Sequence, residues 1–124
     1  MKILIVDDDP LLRRTIARAL TDHVVATARS CAEAREHLRG ESFSLVLSDL
    51  HLTDGLGTEI HSWMMRERID FGYFALMTGS PVRPGERKRL ANYECPVLEK
   101  PFGRKAVEDL LALVEASIGD RNVS

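Results

Sequence analysis

The sequence predicts a doubly wound α/β domain built on a five-stranded parallel sheet with five helices. Three observations predict it. Short apolar runs recur along the chain: Ile3-Leu4-Ile5-Val6, Leu45-Val46-Leu47, Phe74-Ala75-Leu76-Met77 and Pro96-Val97-Leu98. Amphipathic segments of helical spacing alternate with them, as crossovers do in a parallel sheet. The runs also end in chemically useful groups: Asp7-Asp8, Asp49, Thr78 and, after Glu99, Lys100-Pro101. With right-handed crossovers, such ends share one sheet edge, and open parallel sheets bind ligands outside the carboxyl ends of their strands.

The elements follow in order. The first strand is expected at Lys2 to Val6. Asp9 reads as a helix N-cap with Pro10 at the first helical position, and Leu12, Ile16 and Leu20 form the apolar stripe of that helix. Val24 to Ala28 is β-branched enough for a second strand. Ser30-Cys31-Ala32-Glu33 fits a capping box, and Gly40 is a plausible stop for the second helix. Phe43 to Ser48 is the third strand, and Leu52 to Gly57 reads as a loop. A third helix follows to about Arg68, with Ile60, Trp63 and Met64 on its apolar side. Tyr73 to Met77 is the fourth strand. Gly79-Ser80-Pro81 and Pro84-Gly85 make a broken connection to a short helix over Glu86 to Asn92. Val97 to Glu99 is the fifth strand. The last helix runs from about Arg104 to Ile118, with Val107, Leu110, Leu111, Val114 and Ile118 at helical spacing. One domain over residues 1–119 is expected, with a frayed polar tail over 120–124.

Composition narrows the function classes. The chain has 124 residues, 44% of them hydrophobic and 29% charged, with a formal net charge of −2. That charge gives no electrostatic case for direct nucleic-acid binding. Two cysteines, Cys31 and Cys95, make neither a disulfide framework nor a zinc motif and read as reduced thiols. Met1-Lys2 leads straight into a strand-length apolar run, so no signal peptide is expected, and no stretch has membrane-spanning length. The expected location is the cytoplasm, without membrane insertion.

The strand ends carry the chemistry. Asp7, Asp8 and Asp49 are expected close together, where ionised carboxylates repel one another and lose solvent. A divalent cation resolves that conflict, and oxygen-only ligands favour Mg2+ over zinc or copper. Adjacent acids alone are equally consistent with a solvated loop end. The coincidence of Asp49 and Lys100 at matching strand ends argues for a site. A cis bond between Lys100 and Pro101 would aim the ammonium back over that site.

The chain resembles the receiver domains of bacterial two-component response regulators, from Lys2 to about Ile118. The marks are Asp7-Asp8, Asp49 with Gly57 eight residues on, Thr78, and Lys100-Pro101-Phe102. The resemblance implies a flavodoxin-like fold and Mg2+-dependent phosphoryl transfer from a phosphohistidine to Asp49. It implies a phosphoprotein switch with self-catalysed phosphotransfer and autodephosphorylation, not a metabolic enzyme. It implies Asp8 and Asp49 as metal carboxylates, Asp7 acting through water, and the backbone carbonyl of His51 as the remaining protein ligand. Thr78 and Lys100 would each hold a phosphoryl oxygen. The implied partners are a sensor histidine kinase or histidine phosphotransfer protein, and an output protein of unknown identity.

The chain departs from that family at Thr53, where proline is frequent, and at Gly79, where alanine is preferred. It departs most at Val97, where many members carry the aromatic ring that turns inward on activation. The expected readout is therefore movement of residues 78–84 and the helix after them. His51 and Ser80 border the implied path of attacking water. Arg83, Arg87, Lys88 and Arg89 read as a solvated face or as a docking surface for an acidic partner.

Rival readings are weaker. Ser48-Asp49-Leu50-His51-Leu52 is similar to the opening motif of metallophosphoesterases, but too few further ligands follow. A haloacid-dehalogenase-type phosphatase would need an acid where His51 stands. A dinucleotide site lacks its glycine-rich turn, and Asp7-Asp8-Asp9 would repel pyrophosphate. Met1-Lys2-Ile3 reads as a native start. A receiver fragment of a longer transcriptional regulator is the alternative within the family.

Overall fold

A computed structural model describes residues 1–79, 85 and 95–123, with side chains as far as residue 117. The elements are β1 (Lys2–Val6), α1 (Pro10–Ala19), β2 (Val24–Ala28), α2 (Cys31–Gly40), β3 (Phe43–Asp49), β4 (His51–Leu52), β5 (Gly55–Leu56), α3 (Gly57–Arg66), β6 (Phe71–Gly79), β7 (Val97–Lys100) and α4 (Arg104–Val123). Five strands form one sheet in the order β2-β1-β3-β6-β7, and each neighbouring pair is parallel. This is the expected flavodoxin-like architecture. Four of the five expected helices lie among the described residues. The fifth, over 86–92, falls outside them, as do Ser80, Arg83, Arg87, Lys88 and Arg89.

Alternation along β1 explains the two layers. Leu4 and Val6 face a core shared with α2 and α3, through Ala34, Leu38, Ile60, Trp63 and Met64. Ile3 and Ile5 face the opposite core, shared with α1 and α4 through Ile16, Leu20, Val107, Leu110 and Val114. All four β1 residues from Ile3 to Val6 are fully buried. At about 1.5–3 kcal/mol per buried aliphatic side chain, the strand that delivers Asp7 is firmly held.

The helix starts follow local chemistry. The Asp9 side chain caps α1 by accepting from the Leu11 N–H at 3.0 Å, with Pro10 at the helix start. Ser30 Oγ accepts from the Glu33 N–H at 3.1 Å and caps α2. Glu33 also ion-pairs with Arg29, which stands just ahead of the helix. The indole of Trp63, only 7% exposed, lies under the guanidinium groups of Arg35 and Arg39, whose carbons are 5.8 and 5.3 Å from the ring centroid.

Three boundaries differ from expectation. Residues 51–56 form a small antiparallel hairpin, with His51 opposite Leu56 and Leu52 opposite Gly55, where a loop was expected. Strand β6 begins at Phe71 and runs to Gly79, because Phe71 pairs with Phe43 in register. Helix α4 continues to Val123, past the expected end at about Ile118. Gly119 alone weakens a helix by only about 1 kcal/mol, and no proline follows to stop propagation.

Candidate functional site

Strand register assembles the site. Val6 pairs with Ser48, Asp49 with Met77, and Gly79 with Lys100. Asp7, Asp49, Thr78 and Lys100 therefore emerge together at the carboxyl edge of the sheet, as the sequence predicts. The Lys100–Pro101 bond is cis.

Asp7 is fixed on every side. Its N–H donates to the Ala28 carbonyl at 3.0 Å, extending the β1–β2 ladder past the strand end. Its Oδ1 accepts from the Asp9 N–H at 2.8 Å, and its Oδ2 accepts from Lys100 Nζ at 2.9 Å. Its carbonyl accepts from Arg13 Nη1 of α1 at 2.7 Å. Asp7 is 0% exposed and Asp49 7%, whereas Asp8 is exposed.

Asp49 closes β3. Lys100 Nζ donates to its Oδ2 at 3.1 Å, and the His51 N–H donates to its Oδ1 at 3.3 Å. The residues beside it are pinned by backbone bonds. The Leu50 N–H donates to the Met77 carbonyl at 2.7 Å, and the Gly57 N–H to the Leu50 carbonyl at 2.8 Å. Gly57 is needed for close approach: a Cβ there would overlap the Asp49 carbonyl and press on Ser48 Oγ.

The electrostatics follow from this packing. Burial pushes the Asp49 carboxyl up and the Asp7 charge adds to the rise, against the opposing pull of Lys100. Burial alone would lower Lys100, but its contacts with Asp7 and Asp49 outweigh it and raise the ammonium above its usual range. Thr78 is 1% exposed, and its Oγ1 donates a long 3.5 Å bond to the Gly79 carbonyl. That hydroxyl can turn toward a new acceptor at small cost.

The donor set fits a hard cation. One carboxylate oxygen from each of Asp7, Asp8 and Asp49 lies within 4.8 Å of the others, the one such cluster of potential ligands among the described residues. Two of the three carboxylates are buried with a single ammonium between them, so a divalent ion would offset the remaining negative charge. Neither His51 nor His61 joins the cluster. His61 packs on Phe71 and Phe74, with ring centroids 5.8 and 5.0 Å away, and burial lowers its pKa. This removes the histidine ligands a metallophosphoesterase would require.

Sequence reasoning did not single out two residues that shape the site. Arg13 clasps the Asp7 carbonyl. Asp54, in the turn of the β4–β5 hairpin, accepts from the Cys31 N–H at 2.8 Å and the Ala32 N–H at 3.0 Å at the start of α2. The Asp54-Gly55 dipeptide is a hairpin signal, and Gly55 has φ +155°. Its reach to α2 depends on tertiary placement, which no local pattern encodes.

Known proteins agree with the geometry. A family model described as the response regulator receiver domain matches residues 3–112. The chain is 39% identical over 64 residues to the sensory transduction protein LytT of Enterococcus faecalis, covering 48% of this chain and 26% of that protein. It is 41% identical over 69 residues to the response regulator protein PilR of Pseudomonas aeruginosa, covering 52% of this chain and 15% of that one. The chain thus spans less than a third of the length of these curated relatives. Among solved structures, the non-phosphorylated HemR receiver domain of Leptospira biflexa superposes with a TM-score of 0.77 at 29% identity, covering 91% of this chain and 92% of that one. A CheY-like receiver domain protein of Methanospirillum hungatei superposes at 0.80 with 22% identity, covering 96% and 97%, a likeness of fold.

Proposed function

The chain belongs to the response regulator receiver domain family, and on that premise we propose that it accepts a phosphoryl group from a phosphohistidine onto Asp49, in a Mg2+-dependent reaction, and so switches its contacts with other proteins. The observation that carries this reading is Lys100 Nζ bridging Asp7 and Asp49 at 2.9 and 3.1 Å, beside the exposed Asp8.

Each residue has a role under this reading. An Asp49 carboxylate oxygen forms the new bond to phosphorus as the P–N bond to the donor imidazole breaks in line, and the imidazole leaves with the electron pair. Lys100 moves from carboxylate to phosphoryl oxygen, and the Thr78 hydroxyl donates to another. Asp8, Asp49 and the His51 backbone carbonyl would hold Mg2+, and Asp7, whose two oxygens are engaged by the Asp9 N–H and Lys100, would support it from beside them. Bound Mg2+ supplies charge neutralisation on the phosphoryl oxygens. The donor is a sensor histidine kinase or a histidine phosphotransfer protein, and a cytoplasmic location goes with this reading. No helix among the described residues is long and apolar enough to cross a membrane. The output protein is unidentified. The greater length of the LytT and PilR relatives supports a second reading, in which this domain is the receiver part of a longer transcriptional regulator.

The test is intact mass after incubation with acetyl phosphate and Mg2+. One added phosphoryl group is expected, absent in Asp49→Asn and in metal-free protein. An adduct that persists in Asp49→Asn would overturn the assignment.

A further inference from the structure

The start of α2 is held by one local and one distant group. Its first amides have no partner within the helix. Ser30 Oγ takes the Glu33 N–H, and the two Asp54 carboxylate oxygens take those of Cys31 and Ala32. The Cys31 Sγ also lies 3.8 Å from the Leu56 carbonyl, a weak donor contact to the other hairpin strand. The hairpin is therefore tied to α2 at its turn and along β5. Its first residue is His51, whose N–H donates to Asp49 Oδ1. The Asp54 carboxylate bonds to the start of α2 and not to Asp49, Asp7 or Lys100. The sequence from Asp49 to Asp54 is short, and β4 and β5 are paired, His51 with Leu56 and Leu52 with Gly55.

We propose that Asp54 is a positioning residue for the Asp49 site. By clamping the hairpin to α2, it sets where His51 presents its backbone to the cation and so tunes Mg2+ affinity. The proposal rests on the phosphoacceptor reading above, in which the His51 carbonyl is a metal ligand. A carboxylate suits this job because it offers two acceptors to two adjacent N–H groups. An asparagine at 54 would keep one.

The experiment uses the full chain, Mg2+ alone as probe, and three variants: Asp54→Ala, Asp54→Asn and Ser30→Ala. Calorimetric titration reads Mg2+ affinity, and thermal melts read stability. The His51 amide resonance in metal-free protein reads hairpin position. Asp54→Ala is expected to weaken Mg2+ binding roughly tenfold, the lower end of the loss seen when groups supporting metal ligands are removed. Asp54→Asn falls between it and wild type. Ser30→Ala removes the other cap of the same helix end. It should lower the melting point comparably yet leave Mg2+ affinity within about twofold, because it does not hold the hairpin. The His51 resonance should shift in Asp54→Ala and stay in place in Ser30→Ala. Equal loss of affinity in Ser30→Ala and Asp54→Ala would overturn the proposal by reducing Asp54 to a cap. Unchanged affinity in Asp54→Ala would overturn it as well. If Asp54→Ala does not fold, the comparison of Asp54→Asn with Ser30→Ala decides on the same terms. Wild type that binds no Mg2+ would overturn this proposal together with the reading beneath it. Variants matching a wild type that does bind would overturn this proposal alone.

Discussion

Replacing Lys100 by methionine keeps the length of the side chain and removes the charge between two buried carboxylates. At 2.9 and 3.1 Å and an effective dielectric of about 20, each ion contact attracts by roughly 5 kcal/mol. Holding the ammonium in the site costs several kcal/mol of hydration, a cost moderated here because its side chain stays 25% exposed. Without it, Asp7 and Asp49 face each other with oxygens within 4.8 Å, a repulsion of roughly 3 kcal/mol at the same dielectric. The expected net loss for Lys100→Met is about 3 kcal/mol in metal-free protein at pH 7, the range for breaking a buried pair. Urea denaturation followed by circular dichroism measures it. Saturating Mg2+ should narrow the gap, because a cation that binds only the folded state restores positive charge between the carboxylates and binds the variant more tightly. The alkaline side has its own signature. The folded Lys100 pKa is raised, so its contribution is fully present below the ordinary 10.5 and is lost as pH rises through the folded value. Wild type should then fall toward the variant. A loss below about 1 kcal/mol, or a gap that Mg2+ leaves unchanged, would refute the electrostatic account of the site.

Asp49 gives the opposite pH dependence. Its carboxyl is raised above the ordinary 3.8, so wild type loses stability as pH rises from 3.8 toward the folded value, and the loss is complete above it. Metal-free Asp49→Asn should gain on wild type as pH rises above 3.8, read by melting points, and parallel curves would contradict this. Asp8→Ala should weaken Mg2+ binding more than tenfold with little loss of stability, as expected for an exposed direct ligand. Asp9→Ala should instead cost about 1 kcal/mol of stability, the usual value of an N-cap, with affinity unchanged in the same calorimetric titration. Gly57→Ala should cost about 1–3 kcal/mol by urea denaturation, since the added Cβ meets the fixed Asp49 carbonyl rather than a flexible side chain.

The site was legible because its parts sit at strand ends, where a continuous apolar run stops and a charge begins. Ile3–Val6 before Asp7 and Leu45–Leu47 before Asp49 carry that signal in a few residues. The caps at Asp9 and Ser30 were legible for the same reason, since each acts on an amide two or three residues away. What escaped depends on distance in the chain. Asp54 satisfies amides 22 and 23 residues earlier, and Arg13 reaches a carbonyl only after α1 has packed beside β1. The Asp54-Gly55 turn was visible in principle, yet its strands are two residues each and carry too little periodicity to register. The start of β6 at Phe71 is likewise set by pairing with Phe43, a register the local sequence does not specify.

The packing of Trp63 has an optical consequence. It is the one tryptophan in the chain, lodged between α2 and α3 beneath Arg35 and Arg39 rather than at the sheet edge that holds Asp49. Its emission is thus a built-in gauge of how those two helices sit. A ligand that merely fills the carboxylate pocket leaves that gauge steady. A spectral change on phosphoryl transfer would show the event propagating through the protein to a helix pair that touches none of the transferred atoms.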